Sequence, residues 1–281
     1  VISAAGVREY TEKIIMLYKR VISSLLFLPI FYLVTWRLSP EYFTALVLIA
    51  VAVGQYEFYR MARVRGINPN TVLGSMIGAL IVLEFYRPVL TNEGTVFFIT
   101  GCMLLIMVSR LFSRRPAEGA MEDIASTILG VFYVSVLFAF QVWIITAIEG
   151  RRWILFLYFV IWASDIGAYA IGMPFGKHRL YEKISPKKSI EGLLGALAAS
   201  SGVALLWRVL FMPSVGPGEA VMLGLILTVV GTLGDLTESL LKRASGVKDS
   251  GGIIPGHGGI LDRMDSMLFA APVLYYYLRM R

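Results

Sequence analysis

A chain of 281 residues has room for two soluble domains or one larger one. Yet 57% of it is apolar (Ala, Val, Ile, Leu, Met, Phe, Trp, Tyr or Cys) and only 16% is charged. A soluble exterior needs polar cover, and soluble domains carry about 25% charged residues, so a soluble globule, disorder, collagen and coiled coil are all excluded, leaving a chain whose solvent is mostly lipid. The net charge is +7, from 26 Lys and Arg against 19 Asp and Glu. Such an excess fits loops beside anionic lipid better than nucleic-acid binding, because no basic stretch is long enough to form a separate domain. Cys102 is the only cysteine, and His178 and His257 are the only histidines. An internal disulfide is thereby excluded, and a structural zinc site is disfavoured.

A transmembrane helix needs about 20 mostly apolar residues. In chain order that ruler selects nine segments: 21–36, 42–58, 72–86, 95–111, 124–148, 153–173, 190–212, 220–241 and 267–278, the first and last being short. Residues 1–20 read as an interfacial or partly non-native lead-in, with Ile14, Ile15 and Leu17 near Lys13, Lys19 and Arg20. No cleavable signal peptide, internal repeat or Ser-, Gly- or Pro-rich linker is evident. The expectation is one integral membrane domain over 1–281, an all-α polytopic helix bundle. Nineteen Lys and Arg fall on one side of these spans and six on the other, with Arg208 inside a span. The positive-inside rule then puts the N-terminus in the cytoplasm and the C-terminus outside.

Two loops on the basic side carry unusual chemistry. The first runs from Asp165 through Gly176-Lys177 to Ser185-Pro186-Lys187-Lys188 and Glu191-Gly192. Ammonium groups and exposed backbone N–H groups suit phosphate, and a carboxylate inside the apolar run 159–173 is costly unless paired, metal-bound or water-facing. The second begins on the eighth span, where Asp235, Glu238, Ser239 and Lys242 share one helical face. It continues through Lys248-Asp249, five glycines between 251 and 259, His257, and Asp262-Arg263-Met264-Asp265. Asp262 and Asp265 are one helical turn apart, so both are expected to reach one hard cation. Singly, Asp262 could cap a helix and the glycines could be a connector; jointly the features favour phosphoryl or nucleotidyl transfer on a lipid at the cytoplasmic face. Walker-type, Ser-His-Asp and Cys-nucleophile patterns are absent.

Residues 239–265 resemble the signature of the phosphatidate cytidylyltransferase (CDP-diacylglycerol synthase) family. Ser239, Lys242, Arg243, Lys248, Asp249, Gly251, Pro255, His257, Gly258, Gly259, Asp262, Arg263 and Asp265 meet each of its fixed positions. Trp162, Asp165, Gly167, Ala168, Tyr169 and the 175–192 segment are also similar to the family, making 153–281 the catalytic half. The resemblance implies transfer of CMP from CTP to phosphatidate with Mg²⁺, and a second cation would fit a two-metal scheme. It assigns Asp235, Asp262 and Asp265 to the metal. Lys177, Ser185, Lys187, Lys188, Ser239, Lys242, Arg243, Gly258 and Gly259 go to substrate. Asp165, Lys248, Asp249, His257 and Arg263 are the catalytic candidates. A homodimer in the cell (inner) membrane, with its site facing the cytoplasm, is a reasonable corollary. Two rivals are a CTP-dependent polyprenol kinase and an ion-coupled transporter using Glu57, Glu84, Asp165, Arg208 and Asp235. Against the transporter stand the clustering of charge at one face and the lack of an inverted repeat.

Overall fold

The computed structural model describes residues 28–253 and 258–281. Nearly all are helical. After the π-helical turn Leu33–Arg37 come α1 (Pro40–Val64), α2 (Thr71–Tyr86), α3 (Asn92–Leu111) and α4 (Ala120–Thr146). Then follow α5 (Gly150–Phe175), α6 (Ile190–Phe211), α7 (Pro217–Ala244) and α8 (Leu261–Met280). Six of these, α1 and α3 to α7, are long and apolar enough to cross a membrane. α2 is apolar but has only 16 residues, and α8 is charged at its start. Eight of the nine expected segments thus have a helical counterpart, the described part of the first, 28–36, is helical as well, and 21–27 with all of 1–20 lie outside the described residues.

Local chemistry sets the helix ends. α1 starts with Pro40 at its first position, where the missing N–H costs nothing. Asn70, Thr91 and Ser189 cap α2, α3 and α6 by accepting from Leu73, Gly94 and Gly192 N–H. α1 and α7 close with the same device. Gly66 and Gly246 adopt positive φ (78° and 73°), and the N–H groups of Ile67 and Val247 return to the carbonyls of Ala62 and Lys242.

Small residues let the later helices pack closely. Gly167 on α5 faces Gly195 and Ala199 on α6, Gly224 on α7 faces Ser200 and Ala204, and Gly234 on α7 lies against the Asp265 backbone of α8. The core is aromatic and aliphatic, with Phe43, Phe138, Phe156, Ile154, Leu227 and Leu268 almost fully buried.

Two expectations need correction. The segment after α5 is not simply a loop: Arg179–Tyr181 (β1) and Ser185–Ser189 (β2) form a two-stranded antiparallel sheet, a small addition to a fold that is otherwise helical. The last helix begins at Leu261, six residues ahead of the apolar stretch, which brings Asp262 and Asp265 inside its first two turns.

The two ends of the bundle differ. Glu57, near the C-terminal end of α1, meets the start of α8, and Lys188 of β2 meets Asp235 of α7. The basic loops after α1, α3, α5 and α7 therefore share one end. At the other end Arg151 bonds the Trp36 and Leu38 carbonyls, and Arg281 bonds the Ser214 carbonyl.

Candidate active site

A cavity of about 790 Å³ opens at the basic end, between α5, the β-hairpin, α6 and α7. Asp165, Ser185, Lys187, Lys188 and Asp235 line it, with Gly172, Gly176, Ser189, Thr232 and Ser266. The Lys188 ammonium pairs with Asp235 at 2.5 Å. Ser239, one turn along, donates to Asp235 at 3.4 Å. The charge of Asp235 also reaches Asp165 and Asp265, and that of Arg263 reaches Asp165. Residues from both motif blocks, 70 positions apart in the case of Asp165 and Asp235, thus converge on one polar chamber.

Asp262 takes a different place. Its Oδ1 accepts from Lys242 Nζ at 2.6 Å, and Lys242 also bonds the fully buried Glu238 at 2.5 Å. Its Oδ2 accepts from Ser250 N–H (2.9 Å), Ser250 Oγ (2.9 Å) and Gly259 N–H (2.8 Å). Asp262 is therefore a brace that ties Ser250 and Gly259 to Lys242 of α7. Gly258 has φ +84°, a backbone state that favours glycine, and a Cβ there would meet the Asp262 carboxylate.

Lys177, Arg243, Lys248, Asp249 and Arg263 are exposed around this end. Lys177 donates its backbone N–H to Glu191 (3.1 Å), and Arg243 bonds the Val247 carbonyl (3.3 Å). His257 lies outside the described residues.

Two residues escaped assignment to this site. Glu57, almost wholly buried on α1, accepts the N–H groups of Ile260 and Leu261, both at 3.1 Å, and has Ser250 Oγ within 3.3 Å. α8 has no side-chain cap of its own. Glu57 fills that role from 204 residues away, and a Cβ on Gly251 or Gly259 would run into its carboxylate. The available signal was a carboxylate within an apolar span. Tyr133, in the π-helical stretch Val131–Val136 of α4, is buried with no hydrogen-bond partner for its hydroxyl among the described residues. It lies within charge range of Glu238, Asp265, Asp235 and Asp262. π-turns within α-helices often occur at functional sites.

Glu57→Gln tests the cap. Glutamine keeps the size but turns one acceptor into a donor facing a backbone N–H. We expect a folded protein with kcat reduced about 10–100-fold, as for other supporting residues, and little change in KM. Unchanged kcat would make Glu57 a purely structural anchor.

The fold and this chamber define a multi-pass membrane protein with a polar chamber of lysines and carboxylates at one end of its bundle. The cytidylyltransferase family model matches residues 18–281, and the chain belongs to that family. It is 33% identical over 265 residues to phosphatidate cytidylyltransferase of Synechocystis sp., covering 84% of this chain and 88% of that protein. The Bacillus subtilis (strain 168) enzyme of the same name is 32% identical over 246 residues, with the same coverage. That of Staphylococcus aureus (strain COL) is 46% identical over 154 residues, covering 54% of this chain and 58% of the relative.

Proposed function

We propose that this protein transfers CMP from CTP to phosphatidate, forming CDP-diacylglycerol and pyrophosphate. The observation that carries this reading is the chamber itself, which Asp165, Asp235, Lys187 and Lys188 line together at the end of apolar, lipid-length helices. A phosphate oxygen of phosphatidate attacks the α-phosphorus of CTP, and the bond from that phosphorus to the oxygen bridging to the β-phosphate breaks as pyrophosphate leaves. The nucleophile is already anionic, so no side chain need remove a proton. Lys187 and Lys188 on β2 draw phosphate into the chamber and offset charge that spreads over the leaving group. Substrate phosphate competes with Asp235 for Lys188, so binding frees a carboxylate as it engages the ammonium. Lys242 is held by Glu238 and Asp262, and its role is to fix Asp262, which holds Ser250 and Gly259, rather than to reach into solvent.

The donor set fits Mg²⁺. Asp235, Asp265 and Asp165 offer hard carboxylate oxygens, Asp235 once substrate phosphate has drawn Lys188 away, whereas Asp262 is held by Lys242, Ser250 and Gly259. Among the described residues no three Asp, Glu, His or Cys side chains are grouped to hold an ion by themselves. Mg²⁺ commonly uses one or two carboxylates and completes its shell with substrate phosphate and water. When bound it would neutralise phosphate oxygens. We place the chamber at the cytoplasmic face, as the clustering of basic loops at this end supports.

The test is pyrophosphate release from CTP by the purified protein, which should require added phosphatidate. Replacing Lys187 and Lys188 together by Ala should raise the KM for a substrate about tenfold with smaller loss of protein yield. Release that ignores phosphatidate would refute the reading, and unchanged kinetics would reduce the lysine pair to ordinary basic-side charge.

A further inference from the structure

A second polar cavity, of about 520 Å³, lies between the ends of α1, α2, α3 and α4 and shares no lining residue with the catalytic chamber. Four arginines line it, Arg63, Arg110, Arg114 and Arg115, against a single carboxylate, Asp123. It is built rather than incidental. Asp123, which by sequence sat in a loop outside both motifs, is buried in the first turn of α4. It accepts from Arg110 Nε at 2.9 Å and from the Asn68 N–H at 2.6 Å. Arg110 further bonds Ser113 Oγ (2.9 Å) and the Pro116 carbonyl (2.6 Å), and Arg115 bonds the Asn68 carbonyl (2.7 Å). These bonds tie the 65–70 and 112–119 connections into one frame.

One carboxylate cannot neutralise four guanidinium groups. Arg63 and Arg114 have no carboxylate partner among the described residues, and Arg114 makes no hydrogen bond there at all. The remaining lining is rich in donors: Ser109, Ser113, Thr71 and Asn70. Guanidinium forks beside hydroxyl and amide donors match a phosphate group. The flanking surface says what that phosphate is attached to. Val72, Leu111, Phe112 and Met121 are each at least 72% exposed beside the cavity, and only 6% of the apolar window of α3 is buried. A charged recess at the end of the bundle, next to uncovered apolar helix, suits a headgroup with acyl chains running up that helix.

We propose that this cavity binds the phosphate headgroup of an anionic phospholipid, at a site separate from the catalytic chamber. The site does not depend on the reaction proposed above. The experiment is thermal unfolding of the detergent-solubilised full chain with dioleoyl phosphatidylglycerol, dioleoyl phosphatidylcholine or inorganic phosphate. Phosphatidylglycerol should raise the midpoint by about 3 °C or more, and the other two should not. Arg63→Gln with Arg114→Gln should lose more than half of that shift, whereas Lys187→Ala with Lys188→Ala should keep it. Arg114→Gln alone, at an exposed side chain without hydrogen bonds to described residues, should fold normally and lose part of it. Equal stabilisation by inorganic phosphate would identify a free-anion site and overturn the lipid assignment. An equal effect of phosphatidylcholine, or loss with the lysine pair but not with the arginines, would overturn the site itself.

Discussion

Asp265→Asn should nearly abolish CMP transfer while leaving the protein folded. Asp265 sits in the second turn of α8, where its charge is felt by Asp235 and Asp165 and where Ser266 N–H bonds its Oδ1 at 2.6 Å. Carboxylates gathered in this way repel one another unless a cation or a lysine stands among them. Asparagine keeps the volume and one oxygen, so no cavity opens and the uncharged site can even gain stability. What is lost is half of the paired charge that would hold Mg²⁺. The variant should need far more Mg²⁺ for any residual turnover, with an unfolding midpoint at or above that of the parent. Glu118→Gln, at an exposed position between α3 and α4, is a suitable control. Asp123 is not, because it anchors Arg110. Near-normal turnover of Asp265→Asn at low Mg²⁺ would remove Asp265 from the metal set.

The largest effect on stability is expected at Lys242. Its ammonium lies between Glu238, which has no exposed surface, and Asp262, itself the acceptor for three further hydrogen bonds from Ser250 and Gly259. Lys242→Met keeps the apolar stem and removes the charge. A buried carboxylate is left without its counter-charge, a loss on the order of 3–5 kcal/mol. In a chain of this size that corresponds to a midpoint lower by roughly 10 °C. Adding Glu238→Gln to Lys242→Met should recover part of the loss, since the stranded charge is then gone. Failure of the second substitution to restore any stability would place the cost in packing rather than in the ion pair.

The helices were legible because lipid imposes a simple demand, about 20 apolar residues per crossing. Asp235 to Lys242 was legible as one polar face, and along it Asp235 meets Ser239 while Glu238 meets Lys242. Contacts made across the bundle were not. Ser250 and Glu57 are 193 residues apart, and no local pattern announces that a carboxylate on α1 will cap α8. Asp262 and Asp265 show the limit of reading by spacing. Residues three apart are about 60° apart around a helix, enough here for Asp262 to turn toward Lys242 while Asp265 stays with Asp235 and Asp165. The β-hairpin was hidden because Ser185-Pro186-Lys187-Lys188-Ser189 has no apolar alternation. Its pairing, Arg179 with Ser189 and Tyr181 with Ser185, is made by backbone alone and lays Lys187 and Lys188 along the chamber.

The most direct measurement follows each phosphate of CTP. Purified protein is given phosphatidate and CTP labelled at either the α- or the γ-phosphorus, and the lipid product is separated and counted. CMP transfer requires the α-label to enter the lipid in a one-to-one ratio with pyrophosphate released, and the γ-label to leave entirely with pyrophosphate. Entry of the γ-label into lipid would make the protein a CTP-dependent kinase, and no entry of either label would leave the chamber to ion or solute passage. Either outcome would contradict CMP transfer.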